Sequence, residues 1–263
     1  MLSILEDKKL DFLTNSINPN LFIIEDVAND NACFYRAFSN VINNYLSTLD
    51  NLKNYDCFKN LKRIYGNKDL NYSLENQDKL AKFFQQTSCK WIKNNYHLYL
   101  EEYGMNLETM IELTHEIDIY IYLERYKYFA GDTIINKFDS GKIYKNGKNK
   151  GETIFVTKEL EDRWGSTVEQ IALSETYKIT IIILSSQNLL NNKIITGKIT
   201  NNKAEKGVIF KVMQIIGKKY LIEKQPIFLL WKKKKNEGHY MALYLKNNSD
   251  ENIKNNIYKN LFH

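Results

Sequence analysis

Apolar residues at Phe34, Ala37, Phe38, Val41, Ile42, Tyr45 and Leu46 recur at i, i+3, i+4, i+7, i+8, i+11 and i+12 within residues 30–46. That spacing is the stripe of an amphipathic helix turned towards a core. Just upstream, the apolar run 21–24 suits a short buried strand, and residues 4–17 predict a leading helix. Leu52, Tyr55, Phe58, Leu61, Ile64 and Tyr65 keep a helical beat up to Gly66, and residues 66–73 form a polar connection. Helical patterns return over 77–102, 107–113 and 117–129, so the first half of the chain is mainly helices.

The second half changes period. Gly141, Gly147 and Gly151 bracket short β-prone runs, so residues 131–157 predict a β-hairpin or a mobile insertion. Ser166 followed by Glu169 fits a capping box, and Val168, Ile171 and Ala172 give the helix behind it an inward face. The β-branched run 179–184 then suits a buried strand, so residues 164–184 read as helix then strand. Further strands are expected at 193–199, 208–216, 220–222, 227–231 and 240–245, the last two joined by a mobile polar tip over 232–239. The Asn-rich stretch 247–263 predicts a short helix. With no internal repeat and no Pro/Gly/Ser linker, one α+β domain over 1–263 is the economical expectation, with a core over about residues 21–246.

Composition adds exclusions. Hydrophobic residues make up 43 % and charged residues 26 %, a foldable rather than disordered balance. The three cysteines, Cys33, Cys57 and Cys89, include no close pair, which fits a reducing compartment better than a disulfide framework. Four histidines without H-x-x-x-H or C-x-x-C spacing give a metal site little support, and no cofactor motif is present. No secretory apolar core opens the chain and no apolar run approaches a membrane span, so a soluble intracellular, cytoplasmic protein is expected. Lys232–Lys235 is the one sharp basic run under a net charge of +6. It reads first as a solvated loop, then as a nuclear signal or a patch for an acidic partner.

Two residues carry candidate chemistry. Cys33 opens the 30–46 helix, where the helix dipole and free backbone N–H groups favour a thiolate and can hold an oxyanion. The competing reading is a buried cysteine at the edge of a core helix. His239 precedes a strand at the rim of the expected sheet, where it could meet a helix start as a base for the thiol.

The residues Asp30-Asn31-Ala32-Cys33-Phe34-Tyr35-Arg36-Ala37 resemble the D-G-N-C-L-F-R-A signature of the ovarian-tumour (OTU) family of cysteine deubiquitinases. Trp164-Gly165-Ser166, with Glu169, Ala172, Leu173 and Ser174, resembles that family's W-G-G-x-x-E-L-x-A-L-S block, and Gly238-His239-Tyr240 is similar to its terminal H-Y motif. The three blocks occur in the family's order.

The resemblance implies a papain-like OTU fold, with helices packed around a central, mostly antiparallel β-sheet. It implies that Cys33 attacks the carbonyl of a ubiquitin C-terminal glycine, with His239 as base and then acid. The loop 30–33, including Asn31 and Ala32, would bind the oxyanion, and Tyr240 would stand beside the base. Trp164 is expected in the core, orienting its block. Two departures matter. Asn31-Ala32 replaces the family's Gly-Asn, and Met241 stands where the family usually has an Asp or Asn to orient the histidine. Asp30 is therefore the best candidate for the third member, either holding the imidazole or shaping the oxyanion loop. The implied partners are ubiquitin, polyubiquitin chains or a ubiquitin-like modifier, with neither nucleic acid nor a membrane span. Insertion 131–157 is expected to shape substrate choice. The alternative is a weak or inactive ubiquitin-binding module on the same fold. A basic nucleic-acid-associated protein has only Lys232–Lys235 behind it.

Overall fold

The computed structural model describes residues 16–47, 74–125, 129–130, 135–143, 145, 147–159, 165–190, 193–221, 225–234 and 237–246. The elements expected over 52–65, 66–73 and 247–263, most of the leading helix, and the residues Trp164 and Cys57 lie outside these. In chain order the elements are β1 (Phe22–Glu25), α1 (Cys33–Ser47), α2 (Leu74–Asn95), β2 (Tyr99–Leu100), β3 (Met105–Asn106), α3 (Leu107–His115) and α4 (Ile119–Arg125). There follow β4 (Ile135–Ile143), β5 (Thr153–Glu159), α5 (Thr167–Tyr177), β6 (Ile181–Leu190), β7 (Lys193–Thr196), β8 (Ile199–Thr200), β9 (Lys203–Ala204), β10 (Ile209–Ile216), β11 (Ile227–Lys234) and β12 (Glu237–Leu245). The fold is α+β.

A six-stranded sheet in the order β1-β12-β11-β6-β10, with β7 pairing the far end of β6, forms the centre. Only β11 and β6 run parallel; the other pairs of this sheet are antiparallel. Successive strand residues face opposite sides, and here both sides are covered. Ile181, Ile183, Leu229 and Ala242 face a core built with Phe34 and Phe38 of α1, Phe84 of α2 and Ile171 of α5. Ile182, Leu184, Phe228, Leu230, Met241 and Leu243 face a second core closed by Ile17, Val208 and Phe210. Two-sided burial explains why residues 179–184 read as an uninterrupted apolar run.

Local chemistry sets the helix ends. The Ser166 backbone N–H donates to Glu169 Oε2 at 2.7 Å and Ser166 Oγ accepts from the Val168 N–H at 3.3 Å, the capping box at the head of α5. The helical pattern over 77–102 ends early: α2 stops at Asn95, where the Leu98 N–H turns back to the Asn95 carbonyl at 2.8 Å. The strand expected at 220–222 is instead a 3-10 turn over Lys218–Tyr220, entered through Gly217 at φ 68°. The strand expected over 193–199 is cut after Thr196, at Gly197. The tip between β11 and β12 is far shorter than expected. Pairing runs through Lys232↔His239 to Lys234↔Glu237, so Lys232–Lys234 belong to a strand and not to a loop. Residues 131–157 contain the expected hairpin, with β4 and β5 paired, among the described residues, only with each other.

Candidate active site

The loop before α1 folds around Asp30. Its Oδ1 accepts from the Ala32 N–H at 3.0 Å and its carbonyl accepts from the Cys33 N–H at 3.1 Å, which starts the helix at the thiol. Its carboxylate also takes Arg36, with Nη2 to Oδ2 at 2.7 Å, and Arg36 reaches on to Asp78 of α2. Arg36 is buried; its desolvation is outweighed by the two carboxylates, so its pKa rises. Asp30 is therefore the brace of the nucleophile loop, tied to helix start and guanidinium.

Asp26 partners the histidine in its place. His239 Nε2 donates to Asp26 Oδ1 at 2.6 Å. Sheet register explains the meeting. β1 and β12 pair through Glu25↔Ala242, so one more residue sets Asp26 opposite Met241, with His239 two residues along the same face. The carboxylate enters from just past the end of the neighbouring β1, opposite Met241, which packs into the second core. Asp26 is fixed in turn: the Val27 N–H donates to its Oδ1 at 3.0 Å. One residue earlier, Glu25 accepts from Tyr244 of β12 at 2.6 Å and from Asn40 of α1 at 3.3 Å. Strand, helix and strand are thus tied together beside the histidine.

With Nε2–H committed to a carboxylate, the neutral imidazole has Nδ1 as its acceptor. Nδ1 is buried and has no hydrogen-bond partner. Cys33 lies next to the same strand, its sulfur against the backbone N–H of Tyr240, the residue after His239. Burial pushes the thiol up from 9.0 to about 11; the Asp30 charge adds to the rise, and the Tyr240 and Phe34 N–H groups with Arg36 oppose it. The resting sulfur is a thiol, and forming the thiolate requires a base.

Cys33, Gly165, Trp231, Gly238 and Tyr240 line a cleft of about 800 Å³. Two glycines permit its walls to close. A Cβ at Gly165 would run into the Phe34 ring immediately behind the nucleophile, and one at Gly238 into the indole of Trp231. Tyr240 packs edge-on to Phe34 with centroids 5.4 Å apart, and its hydroxyl accepts from Gln170 Nε2 at 2.8 Å. Burial drives the pKa of that hydroxyl up.

The structure thus sets Cys33 against the backbone N–H of Tyr240, the residue after His239, without a hydrogen bond from His239 Nδ1 to the thiol. Of the two roles expected of Asp30 it shows the shaping of the loop, with Asp26 on the histidine. The Ala32 and Cys33 N–H groups expected to meet an oxyanion are engaged by Asp30 in this state. Sequence reading missed Asp26 and Gln170. A carboxylate closing the apolar run 21–24 was the only signal for the first, and its partner depends on strand register. Among the described residues no His/Cys/Asp/Glu group could hold a metal, and no helix is long and apolar enough to cross a membrane. No model of a known protein family matches the chain, and no curated protein matches it.

Proposed function

We propose that the chain is a thiol-dependent hydrolase of the ovarian-tumour type, with that family's papain-like fold, which cleaves the peptide or isopeptide bond after the C-terminal glycine of ubiquitin or a ubiquitin-like modifier. One observation carries the reading. A helix-start cysteine has its sulfur against the backbone N–H of Tyr240, the residue after a buried histidine whose Nε2 is held by Asp26 and whose Nδ1 has no hydrogen-bond partner. In the proposed reaction Nδ1 takes the Cys33 proton as sulfur attacks the glycine carbonyl. The imidazolium, stabilised by Asp26, then protonates the departing amine as the C–N bond breaks and leaves a thioester. Water, deprotonated by Nδ1, attacks that thioester, and sulfur leaves as the thiol. The substrate would be met in the cytosol.

Steady-state hydrolysis of ubiquitin carrying a fluorogenic C-terminal amide tests this. Cys33→Ala and His239→Ala should each abolish turnover while retaining the folded spectrum, whereas full activity of Cys33→Ala would end the protease reading. A second reading, an inactive or weakly active ubiquitin-binding module on this fold, is favoured by one specific feature. The Ala32 and Cys33 N–H groups are engaged by Asp30, so an oxyanion site needs the loop to rearrange. Ubiquitin binding by wild type without turnover would select it.

A further inference from the structure

The end of the sheet farthest along β6 has no part in the proposed reaction. β11 pairs with β6 only as far as Ser185 and β10 as far as Gln187, so Asn188–Leu190 have β7 as their strand partner. All four residues of β7 are exposed. Ile194 is 61 % exposed, Ile195 42 % and Leu190 56 %, each a large apolar side chain in water. Adjacent strand residues point to opposite faces, so the hairpin carries apolar surface on both. A protein partner laid against one face would leave the other wet, whereas immersion of the hairpin end in a lipid layer covers both.

The charge around the hairpin is one-sided. Lys193, Lys198, Lys203 and Lys206 are all exposed, against Glu205 alone in residues 193–206. Lys232 Nζ on β11 donates to the Ile199 carbonyl at 3.2 Å, which ties β8 to this end of the sheet. Residues 187–206 contain no aromatic side chain, so the stacking platform of a nucleic-acid surface is missing.

We propose that the β6–β7 hairpin and the lysines of residues 193–206 form an attachment surface for an anionic lipid bilayer. The aliphatic hairpin enters the headgroup region and the lysines meet the lipid charges. The free edge of β7 keeps its backbone groups hydrated at that depth, so insertion is shallow.

The test is co-sedimentation of the full chain with vesicles of phosphatidylcholine alone and with vesicles about one third phosphatidylserine. The expected result is at least ~10-fold tighter binding to the anionic vesicles, weakened by salt. Ile194→Ser/Ile195→Ser and Lys198→Gln/Lys203→Gln/Lys206→Gln should each lower that affinity ~10-fold or more without changing the thermal midpoint. Should the isoleucine variant unfold, Ile194→Trp serves in its place, with added fluorescence that brominated anionic lipid quenches. Absent binding, equal binding to both vesicles, undiminished binding by either folded multiple variant, or no quenching overturns the proposal. So does a dimer in lipid-free buffer that Ile194→Ser/Ile195→Ser dissolves, since a second copy would then cover the hairpin. Hydrolysis of a soluble substrate reports the Cys33 site separately, so this surface and the proposed activity stand or fall independently.

Discussion

Replacing Asp26 probes the contact on which the proposed base depends. Asp26→Ala deletes a charge-assisted hydrogen bond of 2.6 Å from His239 Nε2. Bonds of this kind contribute about 1.5–3 kcal/mol. The Asp26 side chain is 56 % exposed, so solvent screening holds the effect near the lower end. A loss of ~1.4–2 kcal/mol of transition-state stabilisation lowers kcat/KM by ~10–30-fold. The loss should fall on kcat, because the ring's tautomer and the imidazolium charge matter after substrate is bound. Asp26→Asn keeps an acceptor for Nε2–H and should lose less. Met241→Asn should not rescue Asp26→Ala. Met241 is 3 % exposed among Ile24, Phe228 and Leu243, where a buried amide without partners costs about 1–3 kcal/mol of stability. Kinetics on a fluorogenic ubiquitin amide, with urea unfolding alongside, separate catalysis from folding. Wild-type kcat in a folded Asp26→Ala protein would refute the role of this contact.

Asp30→Ala removes the helix-start acceptor and leaves buried Arg36 with Asp78 alone, so urea unfolding should show a loss of about 2–4 kcal/mol. Its kinetic defect should shrink when stability is restored by lower temperature, as that of Asp26→Ala should not. The Cys33 thiol is raised by burial from 9.0 to about 11, so the neutral form is the one the fold favours. Its contribution to stability is complete below pH 9 and is lost as pH climbs towards about 11, on the order of 2–3 kcal/mol. Cys33→Ala should flatten that alkaline limb in unfolding titrations, and an unchanged limb would assign it to other groups. Replacing the β4–β5 hairpin with a short Gly/Ser link should leave the thermal midpoint nearly unchanged, because among the described residues the two strands pair only with each other. Activity on ubiquitin chains should then fall more than activity on a small peptide amide; equal losses would make the hairpin a structural support.

Elements whose order is local in sequence were legible. The stripe from Phe34 to Leu46 gave α1, the Ser166–Glu169 pair gave the head of α5, and the β-branched run gave β6. Cys33 and His239 stood out because each lies within a recognisable motif, although the structure sets His239 inside β12 rather than ahead of it. Contacts fixed by pairing register were not legible. Asp26 meets His239 only because β1 lies beside β12, and Lys232–Lys234 form a strand because β12 pairs along them. Lysine-rich sequence signals solvation, and an antiparallel partner overrides it. Asp30 stood between two roles, holding the imidazole or shaping the oxyanion loop, for a related reason. Three residues from a cysteine it has several places to turn, and Arg36 one turn into the helix captures it.

The most direct test of the central claim is incubation with ubiquitin bearing a C-terminal electrophile, followed by intact-mass measurement and peptide mapping. A nucleophilic Cys33 aligned with ubiquitin's C-terminus predicts one adduct, on Cys33, absent from Cys33→Ala and slowed in His239→Ala. It also predicts no labelling of Cys89, which lies in α2 outside the cleft that Cys33 lines. An unmodified protein that nonetheless binds ubiquitin, or an adduct mapping to another cysteine, would contradict it.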